Sequence, residues 1–253
     1  KRKSGIDHTV VPWIETNLAD GCNLKCQGCT HFSSIFSEDS FYDFDKFSKD
    51  MHQLRKVSEN LLILRLLGGE PFLLRNIDKY TSLSRNLFPE SNIEIVSNGL
   101  LIPELDDKIL KNLSDNNIIV LLSPYYPTLK KREEIEIKLQ KNNVRFSFLG
   151  SQPVNIFIRN LTLNNHNNGK ISQIRCHSTI GCTFFRNGKV YKCAFEGLIK
   201  EFGEYYNLSF DTGNGVDIYD ESFNIEEKIR ELIVSPVKMC NYCSEKIEII
   251  QWK

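Results

Sequence analysis

Three cysteines within one short stretch are the residues of this sequence best suited to chemistry. Cys22, Cys26 and Cys29 lie in CNLKCQGC, with the spacing C-x3-C-x2-C. Thiolates bind zinc and iron–sulfur clusters, and a structural zinc site is closed by a fourth protein ligand. A [4Fe–4S] cluster held by three cysteines instead leaves one iron open to another molecule. The trio therefore predicts a metal site, either a structural zinc or a reactive cluster.

Five further cysteines form a second group near the end of the sequence. They are Cys176, Cys182, Cys193, Cys240 and Cys243. The first residues, KRKSGIDHTVV, contain no apolar stretch of signal-peptide length, so we expect a reducing, cytoplasmic environment. Clustered cysteines in such an environment indicate metal sites more than disulfides. The gap between the two groups predicts two separate sites, with structural zinc as the alternative to a cluster in each.

The composition argues against several classes of partner. Lys and Arg together number 32, as do Asp and Glu, so the formal net charge of the 253 residues is zero. A neutral chain lacks the positive field that attracts nucleic acids or anionic membrane surfaces. No run approaches the roughly 20 apolar residues of a membrane span. We therefore expect no nucleic acid, no membrane, and a substrate that is a small molecule or a peptide.

The stretch between the two cysteine groups alternates between apolar runs typical of strands and amphipathic segments typical of helices. Strands are predicted at residues 13–18, 61–68, 93–99, 118–124, 144–150 and 154–160. Helices are predicted between the first five of these strands, with Asp43 capping the first helix and Thr128 capping the fourth. A strand–helix repeat is typical of a parallel sheet with right-handed crossovers. The sequence therefore predicts an α/β fold.

The short polar motifs follow the predicted strands in turn. The cysteine loop follows the first strand, GGEP (68–71) the second, SNG (97–99) the third and SPYYP (123–127) the fourth. In parallel sheets and barrels, chemistry gathers at the carboxyl ends of the strands. We therefore expect the four motifs to surround one site.

The C-x3-C-x2-C trio followed by GGEP resembles the signature of the radical S-adenosylmethionine (SAM) enzymes, over about residues 13–150. This resemblance implies an abridged (β/α) partial TIM-like barrel. It also implies that Cys22, Cys26 and Cys29 hold a [4Fe–4S] cluster whose open iron is chelated by the amino and carboxylate groups of SAM. The fourth ligand is then the cofactor itself.

The same resemblance assigns SAM contacts to the strand ends. The implied cofactor-binding residues are Gly68, Gly69, Glu70, Ser97, Asn98 and Ser123. Glycines would let the backbone approach the SAM amino group. One position departs from the family pattern, because the residue before the third cysteine is usually aromatic and here is Gly28. We expect His31 or Phe32 to supply the adenine contact instead.

The second cysteine group is similar to the twitch and SPASM extensions of that family, which hold auxiliary [4Fe–4S] clusters. The resemblance assigns Cys176, Cys193, Cys240 and Cys243 to one auxiliary cluster, with Cys182 as a possible alternative ligand. Asn187 and Gly188 predict a hairpin turn inside this module. The resemblance therefore implies two units, a partial barrel over residues 1–165 and a cysteine-rich extension over residues 166–253.

The architecture most resembles radical SAM dehydrogenases that oxidise an aminocyclitol alcohol. This implies cleavage of SAM to a 5′-deoxyadenosyl radical, hydrogen abstraction from a small hydroxylated, carbohydrate-like substrate, and electron transfer to the auxiliary cluster. Arg159 and Tyr125 are the implied substrate-facing residues, and a flavodoxin- or ferredoxin-type protein is the implied electron donor. For His31 we expect a local hydrogen bond rather than acid–base catalysis.

Three other functions remain open from the sequence. A radical SAM enzyme could modify a peptide, although only about a dozen residues precede the first predicted strand, which disfavours a leader-binding domain. A sugar epimerase would return a hydrogen atom to the substrate radical, and Cys182 could then donate it. A non-catalytic zinc protein would leave the GGEP motif unexplained.

Overall fold

The computed structural model describes residues 13–58, 60–176, 182–220 and 224–252 of the chain. Its strands are β1 Trp13–Ala19, β2 Ile63–Gly68, β3 Asn92–Ser97, β4 Ile119–Leu122, β5 Arg145–Phe148, β6 Ile156–Leu161, β7 Phe184–Arg186, β8 Lys189–Tyr191, β9 Val216–Asp217 and β10 Cys243–Gln251. Its α-helices are α1 Phe44–Val57, α2 Ile77–Leu87, α3 Asp107–Asp115, α4 Tyr126–Lys130, α5 Arg132–Lys141, α6 Gly169–Arg175, α7 Ala194–Tyr206 and α8 Ile225–Val234. Short 3-10 turns lie at Ser33–Ile35, Pro71–Leu73, Ile102–Glu104 and Lys238–Tyr242.

One sheet of eight strands organises the molecule, in the order β5-β4-β3-β2-β1-β7-β8-β9. Strands β1 to β5 are parallel neighbours in chain order, as the strand–helix repeat predicted. At the other side of β1, β7 pairs with it in parallel through Glu15 and Phe184. The sheet is open between β5 and β9, so the α/β fold with a partial rather than closed barrel is confirmed.

One face of the parallel strands is buried by apolar residues, whereas the other face carries the Arg65 ion pairs with Glu15 and Glu94. Leu64, Ile93, Ile95 and Val120 are completely buried in one continuous core. Helix α1 contributes Phe47, Met51 and Leu54 to that core, at the helical spacing of three and four residues. Each such side chain contributes about 1.5–3 kcal/mol through its removal from water. This packing fixes the level at which the strands end, and therefore the position of the loops that follow them.

The helix boundaries confirm one predicted cap and correct another. The Asp43 side chain accepts a hydrogen bond from the Lys46 backbone N–H at 3.0 Å and caps α1, as predicted. Thr128 does not cap a helix, because α4 already begins at Tyr126, where Pro127 favours the first turn. The buried Thr128 hydroxyl instead donates to the Asn98 carbonyl at 2.6 Å. Thr128 therefore ties α4 to the SNG turn.

Strand β6 has a different partner from the one expected of the last barrel strand. It leaves the main sheet and pairs antiparallel with β10 in a separate two-stranded sheet. The register places Phe157 opposite Ile250 and Ile156 opposite Gln251. Both sheets therefore join the segments before and after the predicted boundary at residue 165, through β1–β7 in one and β6–β10 in the other.

The predicted hairpin turn is confirmed. Strands β7 and β8 pair antiparallel, and Asn187 and Gly188 between them have φ values of +53° and +73°. Two successive positive φ angles are typical of the two-residue turn that suits the twist of a hairpin. The Asn187 N–H donates to the Tyr42 hydroxyl at 3.1 Å, so the turn packs against the barrel.

Candidate cluster and S-adenosylmethionine site

The cysteine loop continues directly from β1 and is held by the end of β2. The Gly69 N–H donates to the Ala19 carbonyl at 2.8 Å, and the Glu70 N–H donates to the Gly21 carbonyl at 3.0 Å. A Cβ atom on Gly69 would lie 2.0 Å from the Gly21 oxygen, far inside van der Waals contact. The glycines of GGEP are therefore required by the close approach of two backbones, in addition to any contact with a cofactor.

Glu70 connects the GGEP and SNG motifs beneath the site. Its fully buried carboxylate accepts hydrogen bonds from the Ser97 hydroxyl at 2.8 Å, the Asn98 N–H at 2.9 Å and the Phe72 N–H at 3.1 Å. Burial raises the pKa of Glu70 to about 7, although the three donors act in the opposite direction. Glu70 therefore orients the SNG turn, while the sequence had assigned it to SAM.

Three N–H donors face two sulfur atoms of the trio, and the third cysteine is itself a donor. Cys22 Sγ accepts from the Leu24 N–H at 3.3 Å and from the Asn98 side-chain amide at 3.7 Å. Cys26 Sγ accepts from the Trp252 indole N–H at 3.2 Å. Cys29 donates to the Ser33 hydroxyl at 3.7 Å. N–H groups aimed at sulfur stabilise thiolates, which are the form that binds metals.

Burial disfavours the free thiolates of this loop. It raises the pKa of Cys22 to about 12 and also raises the pKa of Cys26. A bound cluster supplies the positive charge that would keep these sulfurs deprotonated. The donor set of thiols with N–H partners therefore fits an iron–sulfur cluster.

The trio does not form a compact single-ion site. Within the described part of the chain, no three His, Cys, Asp or Glu side chains converge where they could hold one metal ion. The three cysteines instead line one cavity. Three thiols around one space are the donor set that a [4Fe–4S] cluster with one open iron would take.

The cavity brings together most of the residues that the sequence assigned to SAM. Its lining contains Cys22, Cys26, Cys29, Gly68, Gly69, Ser97, Asn98, Ser123 and Tyr125. Glu70 lies beneath this lining rather than in it. The four strand-end motifs therefore surround one cavity, as their positions predicted.

The space beside Gly28 is filled by a distant part of the chain. A Cβ atom on Gly28 would lie 2.4 Å from Ile250 of β10 and 3.3 Å from Phe157 of β6. Phe157 lines the cavity, and Tyr125 stacks on Trp252 with ring centres 5.6 Å apart. An aromatic side chain at position 28 would collide with this β6–β10 pair. The aromatic residues that line the cavity therefore lie far in sequence from the cysteine motif.

The two residues expected to replace that aromatic occupy different places. Phe32 packs against Phe195 and Phe202 in a second apolar core, and it does not line the cavity. His31 lies in the cavity wall. Phe32 instead lines the neighbouring groove with Cys26, Gly28 and Cys29, so of the two residues His31 is the one in the cavity wall, and the adenine contact stays a prediction.

His31 makes the local hydrogen bond that the sequence suggested. Its Nδ1 lies 2.9 Å from Asn17 Oδ1, while the Asn17 amide donates to Asp20 at 3.0 Å. Asn17 Oδ1 can only accept, so His31 Nδ1 carries the proton. Burial lowers the pKa of His31 to about 4, which keeps the ring neutral at pH 7. Arg186 of the hairpin turn completes the network through Asp20 at 2.7 Å.

The second cysteine group surrounds a separate cavity. All five of its thiols line this cavity, namely those of Cys176, Cys182, Cys193, Cys240 and Cys243. They come from four segments: the end of α6 for Cys176, the segment before β7 for Cys182, the start of α7 for Cys193, and the stretch from the Lys238–Tyr242 turn into β10 for Cys240 and Cys243. Burial raises the pKa of Cys193, Cys240 and Cys243, the last to about 12. This donor set also fits a cluster that would keep the sulfurs deprotonated.

A buried cation accompanies the second cavity and was not foreseen from the sequence. Lys192 lines the cavity, and its ammonium donates to the Leu232 carbonyl at 3.2 Å and to the Ile233 carbonyl at 2.6 Å. These carbonyls belong to the last turn of α8, the negative end of the helix dipole. Burial lowers the pKa of Lys192, while the nearby cysteine sulfurs oppose the shift.

The two substrate-facing candidates differ in what the structure describes. Tyr125 lines the first cavity, where burial raises the pKa of its hydroxyl. Arg159 lies on β6 opposite Glu248, and its side chain is outside the described part of the structure. The role of each stays a prediction. Among the described residues, no helix is both long and apolar enough to cross a membrane.

The family comparison agrees with this geometry. The model of the family described as "4Fe-4S single cluster domain" matches residues 14–146, which include β1 to β5 and the cysteine trio. The match covers more than half of the chain. The chain therefore belongs to this family, within the radical SAM superfamily. The description of this family names a [4Fe–4S] cluster.

Two curated relatives each match less than half of the chain. A GTP 3′,8-cyclase of Syntrophomonas wolfei is 28% identical over 120 residues, or 46% of this chain and 36% of the relative. A GTP 3′,8-cyclase of a Sulfurovum species is 25% identical over 104 residues, or 39% of this chain and 30% of the relative. The chain thus matches about a third of the length of these curated relatives.

Solved structures with a similar fold include BtrN in complex with AdoMet and 2-DOIA. That likeness has a TM-score of 0.48 and 15% identity, and it covers 94% of this chain and 98% of BtrN. AnSMEcpe with bound AdoMet gives a TM-score of 0.44 and 22% identity, over 54% of this chain and 43% of that chain. Streptococcus suis SuiB bound to S-adenosylmethionine gives a TM-score of 0.45 and 15% identity, over 58% of this chain and 36% of that chain.

Proposed function

We propose that this chain is a radical SAM oxidoreductase that oxidises an alcohol of a small hydroxylated substrate, with an auxiliary [4Fe–4S] cluster as electron acceptor. One observation carries the proposal: the walls of the two thiol-lined cavities share Thr30 and His31. A substrate in the first cavity would thus lie next to a second redox centre. Because the two cavities share these wall residues, an electron could pass from the substrate to the second cluster without a conformational change.

The reaction balances as a two-electron oxidation. The bound cluster and SAM supply methionine and a 5′-deoxyadenosyl radical when one electron is delivered. The substrate carbon that bears the hydroxyl loses its hydrogen atom to that radical, which becomes 5′-deoxyadenosine. The hydroxyl proton would be released to bulk solvent as the ketone forms, and the remaining unpaired electron would pass to the auxiliary cluster. The alcohol becomes a ketone.

The protein positions these partners and keeps water away. Glu70 and Ser97 hold the SNG turn against the cavity, and Asn98 reaches from that turn to Cys22. Tyr125 and Phe157 supply an apolar wall. A dry, preorganised cavity protects a reactive carbon radical from side reactions. We propose Cys22, Cys26 and Cys29 as the ligands of the first cluster, and Cys176, Cys193, Cys240 and Cys243 as those of the second.

Oxidation is favoured over epimerisation by the position of the spare thiol. Cys182 lines the second cavity, and the lining of the first cavity contains the trio as its cysteines. A hydrogen donor for an epimerase would have to face the substrate in the first cavity. Cys182 is placed to act as an alternative ligand of the auxiliary cluster instead.

Peptide modification is the second candidate, because an open apolar groove runs along the cluster loop. Gly28 and Cys29 form one side of the groove, and Phe195, Phe202 and Tyr206 form the other. Such a groove could accept apolar side chains of a peptide. The same face brings the cluster loop close to the surface, where a flavodoxin- or ferredoxin-type donor could deliver the first electron.

A deuterium-transfer experiment tests the proposal. The reconstituted, reduced protein is incubated with SAM and a panel of aminocyclitols and sugars deuterated at the carbinol carbons, and in parallel with peptides. The proposal expects one ketone for each deuterated 5′-deoxyadenosine. Deuterium transfer from a peptide alone would favour the second candidate, and transfer with return of a solvent hydrogen to the carbon would favour epimerisation.

A further inference from the structure

Trp252 lies directly after β10 and reaches back to the first cysteine trio. Its indole Nε1 is 3.2 Å from Cys26 Sγ, within hydrogen-bond distance of a sulfur acceptor. Its ring stacks on Tyr125 with an interplanar angle of 20°, and its backbone N–H donates to the Asn155 carbonyl at 2.8 Å. Three separate contacts therefore hold the indole in one orientation.

Strand β10 delivers this residue across the molecule. The strand begins at Cys243, beside the second cavity, and ends at Gln251, opposite Ile156 of β6. Before its end, Ile250 packs against the space beside Gly28. The absence of a side chain at Gly28 is thus what allows β10, and with it Trp252, to approach the cysteine loop.

An N–H donor changes the electronic state of a cluster thiolate. It withdraws negative charge from the sulfur, and this stabilises the reduced cluster, which carries more negative charge than the oxidised one. The interaction is strongest where water is excluded. Here the Tyr125 ring covers one face of the indole, and the N–H contact with Cys26 is partly buried.

We infer that Trp252 is a positioning residue of the SAM-binding cluster, whose indole N–H donates to the Cys26 thiolate and raises the reduction potential of that cluster. The inference rests on the proposed assignment of Cys26 as a cluster ligand. Trp252 makes electron uptake by the first cluster easier and leaves the auxiliary site unaffected. The residue that follows β10 in the second module thereby raises the reduction potential of the cluster in the first.

The test is a redox titration of the reconstituted protein, followed by electron paramagnetic resonance, on wild type and Trp252→Phe. Phenylalanine keeps an aromatic ring against Tyr125 but removes the N–H. The cluster with an open iron is identified by the change of its signal on addition of SAM. We expect its midpoint potential in Trp252→Phe to shift to more negative values at unchanged iron content. The matched control, Trp13→Phe, should leave the potential unchanged.

Equal midpoint potentials in Trp252→Phe and wild type, with the cluster loaded in both, would overturn the inference. Failure of wild type itself to load a SAM-responsive cluster would overturn the proposed function instead. A measurement that needs no Trp252 variant uses Trp13→Phe protein grown with 15N-labelled indole. The inference expects magnetic coupling between the reduced cluster and the one labelled Nε1, and the lack of such coupling would contradict it.

Discussion

The two cysteine sites of this protein are built in opposite ways. The first draws its three thiols from a single loop after β1, and distant residues such as Asn98 and Trp252 supply N–H donors to them. The second collects five thiols from four separate segments, with a buried Lys192 beside them. A site on one loop keeps its ligands together by chain connectivity, whereas a dispersed site exists only when the whole module has folded. Loss of the second site should therefore disturb the first site less than loss of the first site disturbs the second.

The largest expected effect comes from removal of a trio ligand. Cys26→Ala should abolish 5′-deoxyadenosine formation, because the open-iron cluster that binds SAM loses one of its three protein ligands. Cys193→Ala should still form 5′-deoxyadenosine, although ketone formation should be lost. Product analysis by chromatography distinguishes the two. Loss of SAM cleavage in both variants would show that the first site depends on the second.

Iron content sharpens the ligand assignment of the second site. Cys193→Ala should lose about four irons per chain, one cluster's worth, whereas Cys182→Ala should keep its iron. The reason is that Cys182 is the fifth thiol around a cavity that needs four. Loss of iron from Cys182→Ala, with retention in Cys176→Ala, would exchange these two cysteines in the assignment.

The first site also depends on the close approach of two backbone segments at Gly69. Gly69→Ala should destabilise the metal-free protein by about 3 kcal/mol or more, because its Cβ would lie 2.0 Å from the Gly21 oxygen. The control is Gly150→Ala, where no atom lies within 4 Å of the added carbon. Its positive φ of +92° makes that change cost only about 1 kcal/mol. Urea denaturation measures both, and equal losses would contradict the requirement for close approach.

The free energy of unfolding should depend on pH through Glu15, the residue at which β1 pairs with β7. Burial raises the pKa of Glu15 to about 7 despite the Arg65 guanidinium at 3.1 Å. The folded state then binds a proton more tightly than the unfolded state, whose carboxyl has its ordinary pKa of 4.5. The contribution of Glu15 to the free energy of unfolding is therefore complete below pH 4.5 and lost as the pH rises through 7, by up to about 3 kcal/mol.

Glu15→Gln provides the comparison for this prediction. The difference in unfolding free energy between wild type and Glu15→Gln, measured in urea from pH 4.5 to 7.5, should fall with rising pH. Other titrating groups cancel in this difference. A constant difference, or one that grows with pH, would show that Arg65 outweighs burial at this position.

The sequence predicted what local spacing determines. The parallel sheet, the Asp43 cap, the Asn187–Gly188 turn and the gathering of four motifs at one edge all follow from patterns within short segments. Thr128 was predicted as a cap because its type suits that position, but tertiary packing gave its hydroxyl a buried carbonyl partner. Propensity is overridden where a longer-range contact satisfies the same group better.

The features that could not be predicted all depend on contacts between distant segments. The pairing of β6 with β10 spans the whole second module, and it alone explains why Ile250 occupies the space beside Gly28. The role of Glu70 as a support of the SNG turn and the position of Lys192 among the thiols are also products of the fold. Gly28 was the one local signal, since a missing side chain indicated that something else fills its place.

The most direct test of the account is an iron and sulfide count on anaerobically reconstituted protein, followed by reduction with dithionite in the presence of SAM. The account predicts about eight irons per chain and formation of 5′-deoxyadenosine. About four irons with SAM cleavage would contradict the auxiliary cluster. Protein without iron that leaves SAM intact would contradict the radical chemistry altogether.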